Sequence, residues 1–267
     1  MGSGPLPGTV VQEDRMMVPG IGAALFAEAR VLAGGVKAAG ELIHLPGGAM
    51  MLVSGMGAAR ARLAAGALLE NGATALVSWG FAGGLLPGLP AGSLILPENV
   101  IAADQIVYPV DSAWHERLCR QLQGFAGLYK GPLAESPAML ASCVEKKILF
   151  SRTGAIAVDM ESASMALSAK KARVPFMVIR AITDPAEMVI PQSIQNSVDE
   201  FGRVWFSRVI QGVVKHPMDL PLLVRLGRNF RAARAALAKV AFQAGSNLLC
   251  PAEKLGERGF SKRAPGS

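Results

Sequence analysis

The stretch GAIAVDMESASMALSAKKARVPFMVIRAITDPAE, residues 154–187, decides how this chain is read. Ala155 to Val158 is a short aliphatic run that predicts a strand, and Glu161 to Arg173 carries a helical pattern. Pro175 to Ile182 is a second apolar run, which stops at Thr183-Asp184-Pro185. A strand, a crossover helix and another strand are the unit of a parallel sheet. Both strand ends carry acids: Asp159 and Glu161 bracket Met160 after the first, and Asp184 closes the second. Ligands in open α/β sheets bind outside the carboxyl ends of strands, so these acids fall where a site is expected.

Upstream the alternation continues. Met50 to Ser54 predicts a strand, Gly55 to Gly57 a tight turn, and Ala58 to Glu70 an Ala/Leu-rich helix closed by Gly72. Ala75 to Trp79 predicts the next strand, ending in the glycine-bearing run Gly80-Phe81-Ala82-Gly83-Gly84, and Leu94 to Leu96 returns antiparallel or at an edge. Within residues 104–152 only Trp114 to Leu122 reads clearly, as an amphipathic helix. The predicted fold is a single-domain, three-layer α/β/α arrangement with a mostly parallel, mixed central sheet and a basic amphipathic C-terminal helix. Residues 1–20 read as an extension, 21–214 as the catalytic domain and 215–267 as a basic helical tail.

Composition excludes several classes. Of the 267 residues 51% are hydrophobic and 18% charged, enough for a sizeable core. Cys119, Cys143 and Cys250 form no CxxC and have no histidine at ligand spacing, so neither a disulfide framework nor a zinc site is indicated, and no metal is expected. His44, His115 and His216 are equally isolated. Residues 71–97 carry no charge, but Gly80, Gly83, Gly84, Pro87, Gly88, Pro90 and Gly92 would break a membrane-spanning helix repeatedly. MGSGPLPG lacks the basic flank and apolar core of a signal peptide, so the cytoplasm is the expected compartment.

The acids have ordinary and functional readings. Asp159 and Ser162 suit an N-cap, and Glu161 suits the helix dipole. A carboxylate beside a soft methionine surface can also accept from two vicinal hydroxyls, which makes Glu161 a candidate for ribose. Asp184 is an ordinary Asp-Pro turn, or a carboxyl desolvated at the end of an apolar strand and therefore a proton donor near neutral pH. The glycines at Gly57 and at Gly80 to Gly84 let backbone amides approach a ligand, but they form neither a Walker loop nor a dinucleotide fingerprint.

Together, SGMGAARARLAAGALLENGATALVSWGFAGGL, TGAIAVDMESASMA and VPFMVIRAITDPA resemble the nucleoside phosphorylase and nucleosidase family, over about residues 45–210. EKKILFSRTGAIAVDMES and KHPMDLPLLVRLGRNFRAARAAL resemble more closely the hopanoid-associated phosphorylases, which release adenine from the lipid nucleoside adenosylhopane in hopanoid biosynthesis. The resemblance implies that Met160 and Glu161 bind ribose and that Asp184 protonates purine N7, an Asp favouring a 6-aminopurine. Phe81, Ala82 and Gly83 would face the base, and Arg180 would orient Asp184 or help bind an anion. No cofactor is implied, phosphate is the implied co-substrate, and a homo-oligomer is expected.

The nucleophile stays open at this level. Family phosphorylases offer an Arg and a Ser around the central glycine turn, where this chain has Ser78 and Phe81. Arg30, Gly57 and Arg60 are the remaining phosphate candidates, and Glu28 is the one nearby carboxylate that could activate water instead. A hydrolytic nucleosidase acting on methylthioadenosine or S-adenosylhomocysteine is the enzymatic alternative, and a non-catalytic lipid-surface protein the other.

Charge separates the tail from the rest. Residues 1–214 contain 17 Lys+Arg and 17 Asp+Glu, whereas 215–267 contain 10 and 3, so the tail carries the whole formal +7. Within residues 222–242, Leu222, Leu223, Leu226, Phe230, Ala233, Leu237 and Val240 share one side, and Arg225, Arg228, Arg231, Arg234 and Lys239 the other. Such a helix packs on its own protein, or lies on an anionic membrane, here the inner face of the cytoplasmic membrane. Basic residues confined to one helix without interleaved aromatics argue against specific nucleic-acid binding.

Overall fold

Strand β4, Ala75–Gly84, is the axis of the molecule. A computed structural model describes residues 17–36, 38–195, 197, 199–203 and 217–244. Most of the expected extension at 1–20 and the tail at 215, 216 and 245–267, with His216 and Cys250, lie outside the described residues. In order, the strands are β1 (Pro19–Ala23), β2 (Ile43–His44), β3 (Met50–Val53), β4, β5 (Leu94–Ile95), β6 (Asn99–Ile101), β7 (Val107–Pro109), β8 (Leu128–Tyr129), β9 (Leu133–Glu135), β10 (Ala157–Asp159) and β11 (Phe176–Asp184). The helices are α1 (Phe26–Leu32), α2 (Ala58–Glu70), α3 (Ser112–Gln121), α4 (Cys143–Thr153), α5 (Ser162–Ala172), the short α6 (Gln192–Gln195) and α7 (Leu220–Ala244).

The strands form one mixed sheet in the order β2-β3-β1-β4-β10-β9-β6-β7, with β11, β5 and β8 on the other side of β4. The pairs β1/β3, β1/β4, β4/β11, β9/β10, β6/β9 and β5/β8 are parallel, whereas β4/β10, β5/β11, β2/β3 and β6/β7 are antiparallel. Side chains alternate across β4: Val77, Trp79 and Phe81 join one apolar cluster with α3 and α7, while Leu76 and Ala82 join another with α2 and α5. The sheet is therefore sandwiched, as the sequence predicts.

Three expectations change. The run Gly80 to Gly84 is strand, because β11 pairs with it on one side and β10 reaches Gly83 and Gly84 on the other. β5 is antiparallel to β11 but is no edge, since β8 pairs along its far side. The segment left unread contains α4, whose start is a capping box, with Ser142 Oγ accepting from Glu145 N–H at 3.2 Å and Glu145 accepting from Ser142 N–H at 2.9 Å. Gly154, at φ 67°, ends α4 in the left-handed conformation.

Helix α7 lies against the sheet. Ala233, Ala236, Leu237 and Val240 are buried in the cluster that includes β11, and Phe230 sits 4.8 Å from Phe81, ring to ring. Arg225, Arg228, Arg231, Arg234 and Lys239 are exposed. Among the described residues no helix is long and apolar enough to cross a membrane.

Candidate active site

Four strand ends converge around β4. β1 runs into α1, which carries Glu28; β3 ends at the turn holding Gly57; β10 delivers Asp159, Met160 and Glu161; and β11 delivers Arg180 and Asp184. Glu28, Asp159, Glu161, Arg180 and Asp184 are all buried.

Glu28 is fixed by the backbone. Its Oε1 accepts from Phe81 N–H at 2.7 Å and its Oε2 from Leu25 N–H at 2.8 Å. Opposite it stands Arg180, and both reach the space over Gly80 that a Cβ would fill. Gly80 is therefore required by close approach, and any side chain there would displace the carboxylate or the guanidinium. Burial raises the Glu28 pKa, and Arg180 offsets part of that rise.

Arg180 is the centre of an acid-rich cluster. Its Nε donates to Asp159 Oδ2 at 2.8 Å and its Nη2 to Ser78 Oγ at 2.7 Å and Ser162 Oγ at 3.1 Å, and Nη2 also lies 2.6 Å from Asp159 Oδ2 in an ion pair. Glu161 Oε2 lies 4.0 Å from Nη2. Among the described residues Nη1 is buried without a hydrogen-bond partner, and it and Glu28 Oε1 both border the space over Gly80. Burial works against the charge of Arg180, but Asp159, Glu161 and Glu28 together hold it protonated.

Asp159 both caps and pairs. Its Oδ1 accepts from Ser162 N–H at 3.2 Å, at the start of α5, while Oδ2 faces Arg180 and also accepts from the Ser162 hydroxyl. Glu161 accepts from Gly57 N–H at 2.8 Å through Oε1. Burial first and the neighbouring Asp159 second push its pKa up to about 7, against the pull of Arg180. Glu135, at the end of β9, caps α5 through Ser164 N–H at 3.1 Å, and burial and Asp159 raise its pKa to about 7 as well.

Asp184 is held apart from that cluster. A β-bulge between Ile182 and Asp184 turns the carboxyl out of the alternation that places Arg180. Arg180 thus pairs with Asp159 and does not orient Asp184, contrary to the expectation. The cation on Asp184 is Lys146 of α4, at 2.7 Å from Oδ2, while Thr183 Oγ1 donates to Oδ1 at 2.8 Å. Burial raises the Asp184 pKa, and Lys146 is the main opposing influence. Sequence reasoning missed Lys146, which in EKKILF looks like one of two solvated lysines. The capping box at Ser142 was the signal that could have placed it on a helix.

The remaining candidates separate. Gly83 touches the Asp184 carboxylate and Val158, and a Cβ there would come within 3.0 Å of Asp184 Oδ2. Phe81 serves Glu28 through its N–H while its ring packs under Phe230, and Ala82 is buried in the opposite cluster. Arg30 is exposed on α1 and donates weakly to Val36 O, at 3.4 and 3.5 Å. Arg60 is exposed on α2 and pairs with Glu200 at 3.4 Å. Neither arginine contacts Glu28, Glu161 or Asp184 among the described residues. No group of three or more His, Cys, Asp or Glu side chains there has the arrangement of a metal site.

Solved structures with the same fold include 5′-methylthioadenosine/S-adenosylhomocysteine nucleosidase from Neisseria meningitidis in complex with methylthio-immucillin-A. It is 20% identical, with 87% of this chain and 100% of that one covered and a TM-score of 0.64. S-adenosylhomocysteine nucleosidase from Streptococcus pyogenes in complex with 5-methylthiotubericidin is 18% identical, covering 88% and 98%, with a TM-score of 0.62. Futalosine hydrolase of Helicobacter pylori is 18% identical, covering 85% and 98%, with a TM-score of 0.61. Comparison with curated proteins gives no match. The family described as the phosphorylase superfamily matches residues 42–211, nearly all of the sheet and both acidic strand ends. The chain belongs to the phosphorylase superfamily and is an enzyme of its nucleoside phosphorylase and nucleosidase class.

Proposed function

We propose that the enzyme releases adenine from an adenine nucleoside, with Asp184 as the acid at the base, Met160 and Glu161 at the ribose, and Glu28 activating water. The observation that carries this reading is the placement of two carboxyls along β4. Glu28 meets Arg180 over Gly80, and Asp184 meets Lys146 beside Gly83. Gly80 and Gly83 lie three positions apart on β4, about 10 Å of strand.

The chemistry follows from where charge develops. As the C1′–N9 bond breaks, its electron pair goes to the purine and the sugar becomes oxocarbenium-like. Asp184, whose pKa burial raises, gives its proton to N7, and adenine leaves neutral. Glu161 holds the sugar hydroxyls beside the developing cation. Glu28 takes a proton from water as the oxygen bonds to C1′, and Arg180 Nη1, which lacks a partner, is placed to donate to that water. The product is adenine and a sugar with a free anomeric hydroxyl.

Water is favoured over phosphate by local charge. Glu28, Glu161 and Asp159 surround a single guanidinium whose Nε and Nη2 are already engaged. Arg30 and Arg60, the cations considered for phosphate, point to other partners. Among the described residues a phosphate dianion would find no cation of its own in this acid-rich cluster, whereas a water molecule needs one acceptor and one donor.

For the 5′ substituent the reading is the pentacyclic lipid of adenosylhopane, by resemblance. It is supported by the outward row of Arg225, Arg228, Arg231 and Arg234 on α7, which suits an anionic membrane surface. The test is adenine release from adenosylhopane and from methylthioadenosine, each with and without phosphate. Release from adenosylhopane without phosphate is expected. Preference for methylthioadenosine would replace the lipid, and a strict need for phosphate would replace water.

A further inference from the structure

We propose that Lys146 is a positioning residue for the acid: it clamps the turn from Asp184 to Met188 onto α4 and stabilises the carboxylate that Asp184 becomes once its proton has passed to the purine. This rests on the proposed role of Asp184. Lys146 is fully buried, and its Nζ lies 2.7 Å from Asp184 Oδ2, 3.2 Å from Asp184 O, 2.9 Å from Pro185 O and 3.1 Å from Met188 O. Four oxygens thus surround three N–H groups, the arrangement that makes a buried ammonium tolerable. The clamp reaches across the chain from the second turn of α4, whose start is anchored by Ser142 and Glu145. Ala141 O also accepts from Ile190 N–H at 2.8 Å, so the entry to α4 and the end of the acid's turn are tied together.

Two influences on Asp184 oppose each other. Desolvation raises the pKa of the carboxyl, and the adjacent ammonium lowers it. Without Lys146 the proton would be held but not readily given up. During the reaction the proton goes from Asp184 to N7 while the C1′–N9 pair goes to the base, and the new carboxylate forms its full ion pair with Lys146. Among the described residues no other charged side chain contacts Asp184; Glu187, on the same turn, accepts from Gly88 N–H at 2.8 Å.

A purely structural clamp and an acid-tuning one differ in their dependence on the leaving group. Lys146→Gln keeps donors for the carbonyls and removes the charge. Full-length wild type and variant are compared on adenosylhopane and on 4-nitrophenyl β-D-ribofuranoside, whose leaving group departs without a proton. The variant is expected to lose kcat for adenine release by about 100-fold, with KM and the nitrophenyl rate changed by less than about threefold. Equal loss on both substrates, no loss on either, or a variant that fails to fold by circular dichroism would assign Lys146 to the scaffold and overturn the proposal. Wild type that cleaves neither substrate would instead remove the role of Asp184 on which the proposal stands.

Discussion

The molecule buries two cation–carboxylate clusters at the same end of its sheet, and they are built on opposite ratios. Around Arg180 three carboxylates, Asp159, Glu161 and Glu28, share one guanidinium. Around Lys146 a single carboxylate, Asp184, faces one ammonium whose other contacts are neutral carbonyls. Excess acid in a dry site cannot all remain ionised, so Glu161 and Glu28 are pushed toward protonation. The first cluster is suited to taking up a proton and steadying a cation. In the second, burial raises the pKa of the one acid, and a cation stands against its carboxylate.

The largest way to break this contrast is Asp184→Asn. It removes the donor, leaves Lys146 its three carbonyls, and should reduce adenine release by about 10²–10⁴-fold in steady-state kinetics with the fold retained by circular dichroism. Removing the other cation should act on stability. Arg180→Met leaves Asp159 buried without its partner, and denaturant unfolding should report a loss of about 3–5 kcal/mol. Glu28→Gln keeps an acceptor for Phe81 N–H and removes the base, so kcat should fall about 100-fold while the unfolding midpoint stays close to that of wild type.

The smallest effect is in the pH dependence of stability. Glu161 and Glu135, each raised from 4.5 to about 7, bind more protons in the folded than in the unfolded chain between those values. Stability must therefore fall as pH rises through that window. Thermal unfolding between pH 4.5 and 8 should show the decline, and Glu161→Gln should flatten it. A slope of the opposite sign would mean that the Arg180 cluster holds its acids ionised.

Much of this contrast was legible in residues 154–187 because its parts are local. Apolar runs bounded by Gly154, Pro175 and Pro185 set the strands, and Glu161 and Asp184 announce themselves at the strand ends. The helix over Ala58 to Glu70 is found where its Ala/Leu pattern and the glycines around it put it. What failed were long-range facts. Gly80 to Gly84 read as a turn because glycine is poor in strands, yet strands on both sides and two carboxyls pressing on Gly80 and Gly83 make glycine the residue that fits. One of the two roles expected of Arg180, orienting Asp184, is not found, because a one-residue bulge at Thr183 changes which way Asp184 faces, and a bulge leaves no periodic trace. Lys146 became visible only when the chain brought α4 against the end of β11.

The central claim, hydrolytic release of adenine between these two clusters, is tested most directly by turnover of adenosylhopane in ¹⁸O-labelled water without phosphate, with the sugar product examined by mass spectrometry. The expected result is adenine together with a sugar that carries one ¹⁸O at C1′. Adenine formed only after phosphate is added, with a sugar phosphate as co-product, would contradict the role given to Glu28, and no adenine under either condition would contradict the claim as a whole.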